Sequence, residues 1–165
     1  MMIKKMAVIG VMAAMLLAAG CGDKSSSEDA SGSGSSGVET ENKSASEKVA
    51  ELAGEIELPS MAEVNSENLN TFLGIDAESV TEFAAQICAS GAMPDEFGVF
   101  VAVDGDAAAE IKSTLEARVE KQRETYKDYT PDEMYKFDDC FVTQNGNNVY
   151  YAICADNALA ADILA

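Results

Sequence analysis

The chain has 165 residues, 47% of them hydrophobic, with 11 Lys and Arg against 29 Asp and Glu for a formal net charge of −18. That charge repels phosphate backbones and no basic patch interrupts it, which excludes nucleic acid as a partner class. His and Trp are both absent; the first absence removes the commonest general base and transition-metal ligand, the second any Trp-lined platform for sugars.

The first predicted element is an export signal. Lys4 and Lys5 precede the uncharged apolar run Met6 to Ala19, and small residues lead up to Cys21, the layout of a secretory signal peptide over residues 1–20. The run is shorter than the roughly 20 apolar residues a spanning helix needs. The segment Leu17-Ala18-Ala19-Gly20-Cys21 resembles the bacterial lipobox, with Ala18 at the place commonly held by Leu. The resemblance implies cleavage before Cys21 and attachment of a diacylglycerol to its thiol, with palmitate-like acyl chains as the membrane anchor. Each buried methylene contributes about 0.8 kcal/mol, so two long chains suffice for stable anchoring without a transmembrane helix. The competing readings are an ordinary secretory signal that contains a Cys and an uncleaved anchor. Lys4 and Lys5 are the only charges in residues 1–20, so the remainder carries −20.

Residues 21–43 read as the lipidated Cys and a flexible tether, rich in Ser and Gly and nearly free of apolar side chains. A coil of this length reaches about 25–30 Å. Residues 44–165 read as a single domain of ordinary size. Ser44 and Glu47 have capping-box spacing, followed by the apolar stripe Val49, Leu52 and Ala53. A second short helix ends at Gly74. The apolar residues Val80, Phe83, Ala84, Ile87 and Cys88 have helical spacing and predict a helix over 77–89, capped by Asp76. Residues 97–103 predict a central strand, and 107–127 a long helix with Ile111, Leu115 and Val119 inward. Residues 137–143 and 149–154 predict two strands joined by the turn Asn145-Gly146-Asn147, which tolerates positive φ. A last short helix follows Asp156 or Asn157. The expected fold is α+β: a two-layer sandwich with a three-stranded β-α-β-β-α sheet, helices on one face and an N-terminal helical segment.

The run Phe72-Leu73-Gly74-Ile75-Asp76, the strand from Phe97 to Val103, Leu115-Glu116-Ala117-Arg118 with Gln122, Tyr129-Thr130-Pro131-Asp132-Glu133 and the hairpin from Val142 to Ile153 together resemble a family of bacterial lipoproteins known as domain of unknown function 4358. The resemblance covers roughly residues 48–165 and rests on the order of several weak motifs. It implies an exported, tethered protein, mostly of Gram-positive bacteria, and it carries over no catalytic residue.

Helical spacing places Arg118 and Gln122 beside the inner face of the long helix, where Arg118 could grip a carboxylate or phosphate with two parallel hydrogen bonds. The plainer alternative is an arginine that lays its stem over the core and pairs with an acid. Asp104 and Asp106 alternate as calcium ligands do, but the rest of a calcium loop is missing and a turn with a helix cap explains both. Asp138-Asp139 reads as a solvated approach to a strand. Tyr126, Tyr129, Tyr135, Tyr150 and Tyr151 could form a sugar- or peptide-binding cluster or the edge of the core. Beyond Cys21 the cysteines are Cys88, Cys140 and Cys154, which allow one bridge, between Cys140 and Cys154 across the hairpin, or three buried thiols. There is no C-x-x-C pair, nucleophile elbow or phosphate-binding Gly loop, and no cofactor or metal site is expected.

Three functions remain open: a non-enzymatic, lipid-anchored binding or interaction module on the outer face of the cytoplasmic membrane, meeting an envelope protein or ligand; a small hydrolytic envelope enzyme using carboxylates and Arg118; and a solute-capture lipoprotein. The single small domain lacks the two lobes usual in solute receptors, which places the third last.

Overall fold

The computed structural model describes residues 43–165. Residues 1–42, where the sequence leads us to expect a signal peptide, a lipidated Cys21 and a tether, lie outside the described residues. No helix among the described residues is long and apolar enough to cross a membrane.

Five antiparallel strands form one sheet in the order β1-β2-β3-β5-β4. They are β1 (Met61–Val64), β2 (Val80–Cys88), β3 (Glu96–Ala102), β4 (Phe141–Asn145) and β5 (Asn148–Ile153). Helix α1 (Ala45–Glu55) begins at a complete capping box between Ser44 and Glu47, as the spacing predicts. Helix α2 (Leu69–Leu73) ends at Gly74, whose φ of 73° is the left-handed cap glycine tolerates best. Asp104 caps α3 (Gly105–Tyr129) by accepting from the Ala107 N–H at 2.8 Å, and Asp156 caps α4 (Asn157–Leu164). Short 3-10 turns cover Ala77–Ser79 and Pro131–Phe137.

The α+β class holds, and three expectations are corrected. The sheet has five strands, not three. Helices cover both faces rather than one. On one face α2 and α3 pack through Leu69, Leu73, Ile111 and Leu115 against Phe100, Val149 and Tyr151. On the other, α1 and α4 pack through Val49, Leu52, Ala160 and Leu164 against Phe97, Val99, Tyr150 and Ala152.

The third correction concerns residues 77–89, which form β2 after one 3-10 turn instead of a helix. Its apolar spacing mimics a helix for a physical reason. The register shifts between Val80 and Glu82, which leaves Thr81 as an extra residue. Such a bulge reverses the alternation of side chains, so Val80 and Phe83, three apart, join the same cluster on the α3 side. Ala84 then faces the α1 and α4 side, where a strand buried on both faces needs an apolar residue too.

Gly98 sits at the middle of the sheet, between Ala85 of β2 and Tyr151 of β5. A Cβ there would lie 2.7 Å from the Ala85 Cβ and 3.1 Å from the Tyr151 ring. Its missing side chain makes room for that tyrosine in the core.

Candidate functional site

Arg118 lies on the middle of α3, one turn from Leu115 and one turn before Gln122. Its Nε donates to Glu96 Oε1 at 2.8 Å and its Nη2 to Glu96 Oε2 at 2.7 Å, while Nη1 donates to the Phe72 carbonyl. Gln122 Nε2 donates to Glu96 Oε2 at 3.2 Å. Helix α3 and strand β3 therefore do bring Arg118 and Gln122 together, on a carboxylate of this chain. Glu96 is 2% exposed, in the bidentate geometry that matches guanidinium to carboxylate. Burial works against the Arg118 charge, but the hydrogen bonds and charge of Glu96 outweigh it and raise its pKa above the ordinary value.

A second pair lies next to the first. Lys136 Nζ meets Asp95 Oδ2 at 2.6 Å and Glu133 Oε2 at 2.7 Å, which ties the Pro131–Phe137 turn to the start of β3. Burial lowers the Lys136 pKa, and the bonds to Asp95 and Glu133 more than reverse this, leaving it raised. Asn157 extends the network by donating to the Lys136 carbonyl at 2.8 Å. Tyr126 completes it from α3, with its hydroxyl 2.9 Å from the carbonyls of both Gly91 and Met93. Apart from the local Lys136–Glu133 pair, each bond joins segments well separated in the chain: this is a polar lock holding α3, the 3-10 turn and the 89–95 loop to one end of the sheet.

Sequence reasoning found Arg118 and Gln122 but missed Glu96, Asp95 and Lys136. The available signal was the dipeptide Asp95-Glu96 opening the most apolar strand of the chain, since acids seldom sit at the start of a central strand without partners.

The expected aromatic group divides. Tyr151 is buried against Phe100, and burial, first of all, with the charge of Glu96 holds its pKa well above the ordinary tyrosine value. Tyr150 lies on the opposite face beneath Lys48, whose Nζ is 5.1 Å from the ring centroid. Tyr126 packs on Tyr129 and Phe137, and Tyr129 and Tyr135 are exposed. Asp104 serves as the α3 cap, and no group of three or more His, Cys, Asp or Glu among the described residues could hold a metal.

Among the described residues, Cys88, Cys140 and Cys154 are free. The register pairs Phe141 with Ala152, so Cys140 falls opposite Ile153, and Cys140 and Cys154 pack into different clusters on opposite faces of the sheet. No bridge forms across the hairpin for that reason. Burial pushes the Cys154 thiol up from 9.0 to about 11. At Cys88 burial acts against the thiolate, but hydrogen bonding from the Ser90 side chain and the backbone at Met93, Ser90 and Gly91 outweighs it and lowers the pKa. The Cys88 side chain is itself buried.

Two clefts open at the surface of the described residues. One of about 330 Å3 separates the start of α1 from the sheet, lined by Lys48, Glu82, Val101 and Tyr150 among others. Another of about 330 Å3 runs between α3 and β4, lined by Glu116, Val119, Glu120, Arg123, Cys140, Phe141 and Val142. Neither includes Arg118.

Residues 54–154 match the family described as domain of unknown function (DUF4358). No curated protein matches the chain, and no solved structure does.

Proposed function

Because the chain belongs to the DUF4358 family, we propose its function from its own residues: a non-enzymatic binding or interaction module, lipid-anchored through Cys21 at the outer face of the bacterial cytoplasmic membrane. The observation that carries the first half of this reading, the non-enzymatic module, is the engagement of Arg118. The one arginine whose placement suited an anionic substrate already grips Glu96 through Nε and Nη2, and its Nη1 is taken by the Phe72 carbonyl. A substrate carboxylate or phosphate would have to displace a buried carboxylate and leave it unpaired, which costs several kcal/mol. The hydrolytic alternative, which needs Arg118 and two acids around a deep pocket, loses its central residue. The anchoring half rests on the lipobox-like Leu17-Ala18-Ala19-Gly20-Cys21 and the Ser/Gly-rich stretch behind it.

The test is affinity capture of the lipidated protein's partners from a detergent extract of the native envelope, beside a screen of the same protein for turnover of envelope substrates. The reading predicts stoichiometric capture of a partner and no turnover. Turnover abolished by Arg118→Lys, with no partner recovered, would contradict it.

A further inference from the structure

The two edges of the sheet differ. The β1 edge is four residues long, follows Pro59 within two positions and carries Glu63. Short length, proline and charge are the usual devices that keep an edge strand from pairing with another chain. The β4 edge, Phe141-Val142-Thr143-Gln144-Asn145, has no charge, no proline and no bulge in its register with β5. Its last three residues are exposed.

The hairpin turn fixes which backbone groups of β4 face outward. Only Gly146 and Asn147 separate Asn145 from Asn148, and Gly146 has a φ of 59°. A two-residue turn of this kind closes on a hydrogen-bonded pair, and bonded and non-bonded pairs alternate along an antiparallel ladder. Asn145, Thr143 and Phe141 therefore bond inward to β5, while the N–H and C=O groups of Val142 and Gln144 point away from the sheet.

Beside that edge lies the groove between α3 and β4. Its floor is Val119 and Val142, and α3 contributes Glu116 and Glu120. Their present partners are weak competitors: Glu116 pairs with Lys112 and Glu120 with Arg123 at 3.8 Å, with the two carboxylate side chains 51% and 72% exposed. Arg123 also lines the groove, where its guanidinium is engaged by the Phe137 carbonyl at 2.9 Å and Cys140 Sγ at 3.7 Å, so the two glutamates exceed it in charge by one. Residues 1–42 contain Lys4, Lys5 and Lys24 against Asp23, Glu28, Asp29, Glu39 and Glu41, a net of −2, so residues 43–165 carry −16. A second copy brought edge to edge would bring the same −16 with it, which disfavours self-pairing.

We propose that the β4 edge is the docking surface of the module, and that it accepts an extended cationic segment of a partner protein as a sixth strand. This rests on the reading of the protein as an interaction module and names its site and the chemistry of its partner. Main-chain bonds to Val142 and Gln144 supply affinity, and alternate side chains supply specificity. On the α3 side the incoming residue is Lys or Arg, its stem over Val119 and Val142 and its head at Glu116 and Glu120. On the other side, next to Phe141, it is aliphatic.

The test uses fluorescence anisotropy of a labelled Lys-Val-Lys-Val-Lys-Val-Lys peptide with the purified full-length protein, and a Glu-Val peptide of equal length as control. The expected result is saturable binding of the first peptide alone. Gln144→Pro removes an outward donor at a position where an edge strand tolerates proline, and should weaken binding by about two- to tenfold. Glu116→Lys with Glu120→Lys, both on the exposed face of α3, should abolish binding whether or not the proline variant folds. Equal binding by the charge-reversed variant, equal binding of the Glu-Val peptide, or a dimer that Gln144→Pro dissolves would each overturn the proposal. A photo-crosslinker at Thr143, and another at exposed Glu55, separates this from the parent reading in the native envelope. Crosslinking only at Thr143 supports the docking edge. Crosslinking only at Glu55 overturns the edge and leaves the module. Crosslinking at neither overturns both.

Discussion

Glu96 and Arg118 are the residues on which both the fold and the functional reading turn. A buried pair of this kind contributes little relative to apolar residues of the same volume, but breaking it is costly, because one charge then stays buried without a partner. Glu96→Gln should therefore destabilise the protein by about 3–5 kcal/mol, read as a lower urea midpoint at unchanged slope. Replacing both residues, Glu96→Leu with Arg118→Met, should restore most of the loss. A midpoint unchanged by Glu96→Gln would return Arg118 to the pool of residues free to hold a ligand. Arg118 and Gln122 were visible from helical spacing alone. Their partner was not, because sequence periodicity places residues on a face of one element and says nothing of which distant carboxylate meets them.

At the scale of elements, the caps, the turns and the long helix were legible, since each is set by residues a few positions apart: Ser44 with Glu47, Asp104 with Ala107, Gly146 between β4 and β5. Strand β2 was not. Its bulge and its two buried faces produce the same apolar spacing as a helix, and only the neighbouring strands decide between the two. Its burial also explains why the sheet grew from three strands to five, for β1 has no place to pair unless β2 is a strand. The closest packing in the sheet is at Gly98, and Gly98→Ala should cost about 1–3 kcal/mol through the clash with Ala85 and the Tyr151 ring. Thermal melting followed by circular dichroism measures this. Loss of near-ultraviolet signal from the displaced tyrosine should accompany the drop, and an unshifted melting temperature would show that the sheet relaxes freely there.

For the whole molecule, the groups with raised pKa values set a direction for stability against pH, opposed in part by the Cys88 thiol, which the bonds around it lower against its burial. Burial, before any other cause, raises the Cys154 thiol from 9.0 to about 11 and Tyr151 well above its ordinary value. A group that holds its proton more tightly folded than unfolded gives its full contribution below the unfolded pKa and loses it as pH rises through the folded one. Lys136, raised by Asp95 and Glu133 against its burial, acts in the same sense. The urea midpoint should stay level from neutral pH to about 9 and fall between about 9 and 11, with the early part of the fall flattened in Cys154→Ala. A midpoint level to pH 11 would mean these groups are not buried as described.

Anchoring by acyl chains on Cys21, which would hold an acidic interaction domain at the membrane surface, is the claim on which the functional account depends. Intact-mass and N-terminal peptide mass spectrometry of protein taken from the native membrane fraction tests it most directly. The account predicts a chain that begins at Cys21 and carries the mass of a diacylglycerol thioether, with or without a third acyl chain on the new amino terminus. A chain with an unmodified Cys21, whether it begins at Met1 or at any later residue, would contradict it.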